Sequence, residues 1–230
     1  MTKFIKYSTS LLLIFFSFNA EIAAQPFEST YSPLPAVNVL IKNANIYDGE
    51  GNEFLQTDLL IQNRKVTAIG KDLPISDNFQ IIDASDKWVT PGIIDIHSHM
   101  GVYPAPGVRT SSDGNEATSP VTADVWAEHS MWVQDPQYAL ALSGGVTAFH
   151  VLPGSANLIG GRGVTVKNLQ RNTINSMKFP DAPHSLKMAC GENPKRVYGS
   201  RQQAPSTRMG NIAGYRKAWI EAEGYLNRLN

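Results

Sequence analysis

The chain has 230 residues, of which 20 are Lys or Arg and 20 are Asp or Glu, and its pI is near 7. This charge balance provides no strong field of either sign, which excludes binding to nucleic acid or to an anionic surface as the main function. The 18 Gly and 14 Pro favour a fold with many loops over a helical bundle. The only cysteine, Cys190, excludes an internal disulfide.

The first 24 residues have the layout of a secretory signal peptide. Lys3 and Lys6 precede an apolar run from Leu11 to Phe18, and small residues end the segment at Ala24. The apolar run is too short to span a bilayer as a stable helix. We therefore expect cleavage before Gln25, export to the periplasm or the extracellular space, and no stable membrane anchor afterwards. The alternative is an N-terminal anchor or a buried helix.

Residues 36–90 are predicted to form a small β-domain, after a polar linker over residues 25–35. Three segments alternate apolar and polar residues, and turn signals separate them, including a tight turn at Asn63 and Arg64. This pattern is typical of antiparallel strands.

Residues 91–230 show a different pattern, in which strands alternate with helices. The stretch "GIIDIHSH" predicts a strand buried on both faces, and a polar loop and a helix over 121–133 follow it. A second helix is expected from Pro136 to a stop at Gly144 and Gly145. The stretches "VTAFHVL", "GVTVKN" and "LKMACGEN" predict further strands, and a last helix ends the chain. Such alternation favours βα units and a parallel sheet.

His97 and His99 lie at the exit of the first of these strands. Residues i and i+2 of a strand point to the same side, so the two imidazoles project together. Two neutral imidazoles a short distance apart can share one divalent ion. The alternative is that they are two polar residues at a strand end.

Several stretches resemble the metal-dependent amidohydrolase superfamily, and within it a secreted, imidazolonepropionase-like branch. They are "VTPGIIDIHSHMGVYPAPGV", "SDGNEATSPVTADVWAEHS", "QDPQYALALSGGVTAFHVLPGSANLIGGRG" and "LKMACGENPKRVYG" with "PSTRMGNIAGYRKAW". The resemblance implies a (β/α)8 barrel flanked by a β-sandwich, with one or two divalent metals at the barrel mouth. A metal-bound water would attack a C–N bond of a small amide or peptide-like substrate. Zinc is the expected metal, with iron, manganese and nickel as alternatives.

His97 and His99 match the first two metal ligands of this family, and Glu192 is our candidate for the next one. Glu192 follows the apolar strand "LKMAC". The alternative is a glutamate at a helix start, where negative charge suits the helix dipole. Lys187 and Lys167 are the other candidates, because a lysine inside a barrel strand can be carboxylated. Cys190 is expected to be a buried structural residue rather than a ligand.

The stretch "GSANLIGGRG", residues 154–163, is interpreted as an active-site loop in which Arg162 clamps a substrate carboxylate. The alternative is a mobile surface loop. His150, at the end of a strand, either faces the substrate or is a hydrogen-bonded core histidine. Asp113 and Glu116 lie in a loop that we expect over the barrel mouth.

The length from Pro91 to Asn230 is 140 residues, whereas a complete barrel takes about 250. We therefore expect the first half of an amidohydrolase barrel: an N-terminal fragment, inactive alone, or one piece completed by a second polypeptide or by oligomerisation. The family's catalytic aspartate lies on a later strand, so no catalytic residue is assigned. A non-catalytic metal- or ligand-binding protein and a non-functional remnant are the competing hypotheses.

Overall fold

The structure is a computed structural model that describes residues 27–229. The predicted signal peptide and its cleavage site therefore lie outside the described residues. Residues 27–38 contain no helix or strand. No helix within the described range is both long and apolar enough to cross a bilayer.

The first sheet contains five strands: β1 (Val39–Tyr47), β2 (Glu53–Gln62), β3 (Lys65–Gly70), β4 (Gln80–Asp83) and β5 (Trp88–Val89). Its order is β3-β2-β1-β4, and β5 also pairs with β1. The β1–β2 and β2–β3 pairs are antiparallel, whereas β4 and β5 run parallel to β1. Its core consists of Ala44, Ile46, Leu59 and Ala84. Residues 39–89 form one sheet, so the expected β-sandwich flank, of which they would be the N-terminal part, is not confirmed.

The β2–β3 hairpin has the tight turn that the sequence predicts. Asn63 and Arg64 form a two-residue loop, and both have positive φ, 49° and 64°. This is the conformation that matches the twist of two antiparallel strands.

The second sheet contains β6 (Ile93–Ser98), β7 (Val146–Val151), β8 (Ile159–Lys167) and β9 (Ser185–Met188), in that order. Strands β6 and β7 are parallel, and helix α1 (Gln137–Ser143) lies in the connection between them. The prediction of a parallel sheet is wrong beyond this unit, since β7–β8 and β8–β9 are antiparallel. Parallel pairing needs a crossover, and the connections 152–158 and 168–184 contain no helix.

Strand β6 is the edge strand of this sheet, and it is not buried as predicted. Ile93, Ile94 and Ile96 are 54%, 63% and 76% exposed. Strand β7, in contrast, buries Ala148 and Phe149, as its apolar run predicts. Within residues 27–229, β6 pairs with β7 only, so no strand pairs with its other edge.

One predicted helix ends where the sequence indicates, and another predicted helix does not form. Helix α1 ends at Gly144 and Gly145, and Gly145 has a φ of +88°. Helices α2 (Glu192–Gly199) and α3 (Arg208–Leu229) close the described chain. The predicted helix over 121–133 is wrong, because this segment is a loop with bridges to β8 at Val121 and Trp126, several turns and one 3-10 turn at Ala127–His129.

Residues 121–126 do not form a helix because their backbone bonds with β8. Thr122 N donates to Ile159 O at 2.9 Å, and Arg162 N donates to Val125 O at 2.8 Å. These bonds hold the long loop after β6 over the sheet. The largest core lies beneath it and includes Val102, Met131, Tyr138, Phe149, Val151, Val164, Val166 and Met177.

Candidate metal centre

His97 and His99 lie together at the end of β6, as the sequence predicts. Their ring centroids are 5.5 Å apart and the rings are nearly perpendicular, at 88°. The Nδ1 atom of His99 is 2.8 Å from the backbone oxygen of Leu152, which follows β7. This contact makes Nδ1 the protonated nitrogen and leaves Nε2 for a ligand.

Lys187, on β9, is the third group at this position. Its Nζ lies 3.1 Å from Nε2 of His97, and the residue is only 7% exposed. Strands β6 and β9 are the two edge strands of this sheet. Because the sheet is curled, Lys187 of β9 reaches His97 of β6 across its inner face. The sequence interpretation named Lys187 only as an alternative to Glu192.

The groups around this contact lower the pKa of His97. The ammonium of Lys187 lowers the pKa of His97 most, burial and His99 lower it further, and Asp95 opposes them. Burial lowers the pKa of Lys187 itself below its ordinary value of 10.5. Both shifts favour the uncharged nitrogens, which are the forms that bind a metal.

His150, on β7, occupies the same interior face, but both of its ring nitrogens are occupied. Nδ1 is 2.9 Å from Oγ1 of Thr165 on β8, and Nε2 is 2.7 Å from Oγ of Ser185 on β9. Burial lowers its pKa most, followed by His184 and His97. The predicted role in binding a substrate is not what this geometry shows, and the alternative, a hydrogen-bonded core histidine, describes it better. Sequence reasoning missed Thr165 and Ser185, since a hydroxyl residue in a strand carries no distinctive signal.

Arg162 lies in β8 and not in a loop, because β8 already begins at Ile159. Its guanidinium carbon is 4.5 Å from the ring centroid of Trp126, a cation–π contact. Of the predicted active-site loop, residues 154–163, only residues 154–158 lie outside β8. Gly161 allows β8 to lie close to the loop segment at Val125. Its φ is +111°, and a Cβ there would lie 2.5 Å from the oxygen of Val125.

The structure does not bring Glu192 to the two histidines. It is the first residue of α2, and its carboxylate accepts a hydrogen bond of 2.9 Å from Lys195. This bond and the charge of Lys195 lower the pKa of Glu192. The helix-start alternative is thus the one that the structure shows, since β9 ends at Met188.

The other two candidates also lie elsewhere. The Nζ atom of Lys167 is over the ring of Phe179, 4.0 Å from its centroid. Cys190 was expected to be buried, but it is exposed, because it lies in the turn between β9 and α2.

A cavity of about 490 Å³ lies in the loop region after β6, and neither the two histidines nor Lys187 lines it. Val102 and Pro153 belong to its wall; Val102 is three residues after His99, and Pro153 is two residues after the end of β7. Asp113 and Glu116 also line it, and their expected position over the barrel mouth stays a prediction.

The nitrogen donors fit part of a site for a divalent ion. Within residues 27–229, no three His, Cys, Asp or Glu side chains are grouped as a complete metal site. The two imidazoles and the amine of Lys187 are nevertheless adjacent. His99 also has the backbone carbonyl partner that orients a metal-binding imidazole.

Comparisons with known proteins place these features in context. No protein-family profile matches the chain. It is 35% identical to amidohydrolase tasK of Hapsidospora irregularis over 215 residues, which cover 82% of this chain and 22% of that protein. A dihydroorotase of Lactobacillus leichmannii is 40% identical over 84 residues, 35% of this chain and 18% of that enzyme.

A solved structure resembles the chain over most of its length. The crystal structure of an amidohydrolase from Thermotoga maritima superposes with a TM-score of 0.75 at 40% identity, over 83% of this chain and 49% of that one. The chain thus spans about half of that structure and about a fifth of the fungal relative. The mixed α/β fold, with its curled second sheet, is consistent with part of an amidohydrolase barrel. These similarities support the assignment of the chain to the amidohydrolase superfamily.

Proposed function

We propose that the chain supplies the first part of the active site of a metal-dependent hydrolase that acts on C–N bonds. The observation that carries this proposal is the contact of a buried lysine, Lys187, with the imidazole of His97 beside His99. The amidohydrolase and the dihydroorotase to which the chain is similar support hydrolysis of an amide or cyclic amide. We also propose that the protein belongs to a secreted, imidazolonepropionase-like branch and is exported.

His97 and His99 would hold a divalent ion through their Nε2 atoms. When bound, such an ion lowers the pKa of a water molecule and polarises the carbonyl of the substrate. The carbonyl of Leu152 fixes the tautomer of His99, so that Nε2 carries the lone pair. Zinc suits a site of imidazole and carboxylate ligands, and iron, manganese and nickel remain to be compared.

Lys187 replaces Glu192 as our candidate for the bridging ligand. Its lowered pKa increases the neutral fraction of the amine at a given pH. A neutral amine adds to carbon dioxide, forming an N–C bond and releasing one proton, and the resulting carbamate has two oxygens that can bind metal. The ammonium is buried at an unusual cost, which is typical of a functional lysine.

The substrate would enter through the cavity formed by the loop after β6. Its wall combines carboxylates with the indole of Trp126, so a small polar amide or a peptide-like molecule fits it better than an apolar one. The remaining metal ligands and the general acid–base residue would come from the part of its relatives that this chain does not cover.

The metal content of the purified chain tests this proposal. We expect bound zinc in the wild type, and its loss in His97→Ala, His99→Ala and Lys187→Met. His129→Ala is the matched control, because His129 is exposed and stacks on Trp126 outside this cluster. Unchanged zinc in the first three variants, or an equal loss in the control, would refute the site.

A further inference from the structure

A hydrogen-bonded histidine connects the three strands behind the candidate metal centre. His150 is on β7, and its ring nitrogens reach Thr165 on β8 at 2.9 Å and Ser185 on β9 at 2.7 Å. The three residues are partly buried, so water competes little for these bonds.

The bond to Ser185 fixes the start of the strand that carries Lys187. Strand β9 has only four residues, and its pairing with β8 contains a register shift. Ser185 and Lys187 are two residues apart in this strand, so their side chains point to the same face. A displacement of Ser185 therefore moves Lys187 relative to His97.

The chemistry of the two partners suits a fixed ring. A neutral imidazole donates one hydrogen bond and accepts another, and a hydroxyl can do either. Both bonds can therefore form in either tautomer of His150, with no charge required. This distinguishes His150 from a residue that must bind or release a proton.

We infer that His150 is a positioning residue: through Ser185 it holds β9 so that the amine of Lys187 faces the imidazole of His97. The inference rests on the proposed function only in that Lys187 and His97 are taken to be part of the metal centre. The positioning itself is a property of the metal-free chain, and this allows the two to be tested separately.

Two substitutions at His150 separate its two bonds. Glutamine places an amide nitrogen near the position of Nε2 and keeps the bond to Ser185. Asparagine places one near Nδ1 and keeps the bond to Thr165. We expect His150→Gln to preserve the position of Lys187 and His150→Asn to lose it.

The first measurement uses NMR on the metal-free, full-length chain. Nuclear Overhauser contacts between the Lys187 side chain and the His97 ring should persist in His150→Gln and Thr165→Val. They should vanish in His150→Asn and Ser185→Ala. If His150→Asn does not fold, Ser185→Ala decides, since it removes the same bond by deleting one oxygen.

A contact far from the centre controls for general damage. The rings of Tyr47 and Trp88 stack in the first sheet with centroids 4.7 Å apart, and their contacts should be unchanged in every variant. Persistence of the Lys187 contact in Ser185→Ala, with the fold intact, would overturn the inference.

The second measurement is zinc affinity. Loss of a group that orients a ligand costs about 10- to 100-fold in metal affinity, and we expect this in His150→Asn and Ser185→Ala but not in His150→Gln. The double variant His150→Asn, Ser185→Ala should bind zinc no more weakly than either single variant, because both substitutions remove the same hydrogen bond. Zinc binding that needs His97 but tolerates His150→Asn would overturn the positioning role and leave the proposed function standing. Loss of the NMR contact in a chain that binds no zinc would do the reverse.

Discussion

The ion pair between Glu128 and Lys178 joins the loop after β6 to the segment after β8, and its contribution to the free energy of unfolding can be tested directly. The Nζ atom of Lys178 lies 2.6 Å from Oε2 of Glu128, and the two side chains are 5% and 2% exposed. Lys178 follows β8 and bridges to Val166, whereas Glu128 belongs to the loop. No hydrogen bond from another described residue reaches the carboxylate.

Replacing Lys178 by methionine removes the nearest cation from the buried carboxylate of Glu128 and leaves only the exposed ring of His129, 3.7 Å from Oε1. Removal of one member of a buried pair costs about 3–5 kcal/mol. For a chain of this size each kcal/mol lowers the melting temperature by about 2–4 °C, so we expect a fall of roughly 6–20 °C. The double variant Glu128→Leu, Lys178→Met should recover most of this loss, because two apolar side chains can replace a buried pair at little cost.

Thermal melting followed by circular dichroism, together with urea denaturation, measures these effects. The control is Lys217→Met, which breaks the exposed pair with Glu221 at 3.8 Å and should change the free energy of unfolding by about 0.5 kcal/mol or less. A loss of under about 1 kcal/mol in Lys178→Met, or a double variant as unstable as the single one, would refute the reasoning.

Four further predictions concern the centre and its sheet. Burial lowers the pKa of Lys187, so the unfolded chain binds more protons than the folded one. The wild type should therefore gain stability relative to Lys187→Met as pH rises towards 10.5. A difference in the free energy of unfolding, measured by urea denaturation, that does not change with pH would contradict this. Gly161→Ala should cost about 1–3 kcal/mol in the same assay, because its Cβ meets the oxygen of Val125 at 2.5 Å, and a neutral effect would show that the backbone relaxes. Glu192→Gln should leave the zinc content unchanged, and a loss of zinc would restore Glu192 as a ligand. Ile96→Lys should reduce self-association in light scattering, because Ile96 is 76% exposed on an edge strand, and unchanged scattering would indicate another contact.

Features that depend on a few neighbouring residues could be predicted from the sequence. The turn at Asn63 and Arg64 and the end of α1 at Gly144 follow from local backbone preferences. The proximity of His97 and His99 follows from the two-residue period of a strand. None of these depends on what the rest of the chain does.

Features set by distant pairing could not be predicted in this way. Residues 121–133 have apolar residues at helical spacing, but backbone bonds with β8 keep residues 121–126 from forming a helix. Strand β8 is longer than predicted for the same reason, since Ile159 and Arg162 bridge to that segment and its glycines pair with β9. Tertiary pairing overrides local propensity at both places.

Lys187, and not Glu192, is the residue that lies beside the histidines, and the sequence contains a chemical reason for this. Pro194 lies two residues after Glu192, and proline in a first turn indicates a helix start, so the strand has to end earlier. An earlier end places Lys187 inside a short apolar strand, where an ammonium is costly unless a nearby group makes use of it. The imidazole of His97 at 3.1 Å is that group. A lone lysine among apolar strand residues is therefore the stronger signal for the proposed metal centre, and the glutamate before a proline is the weaker one.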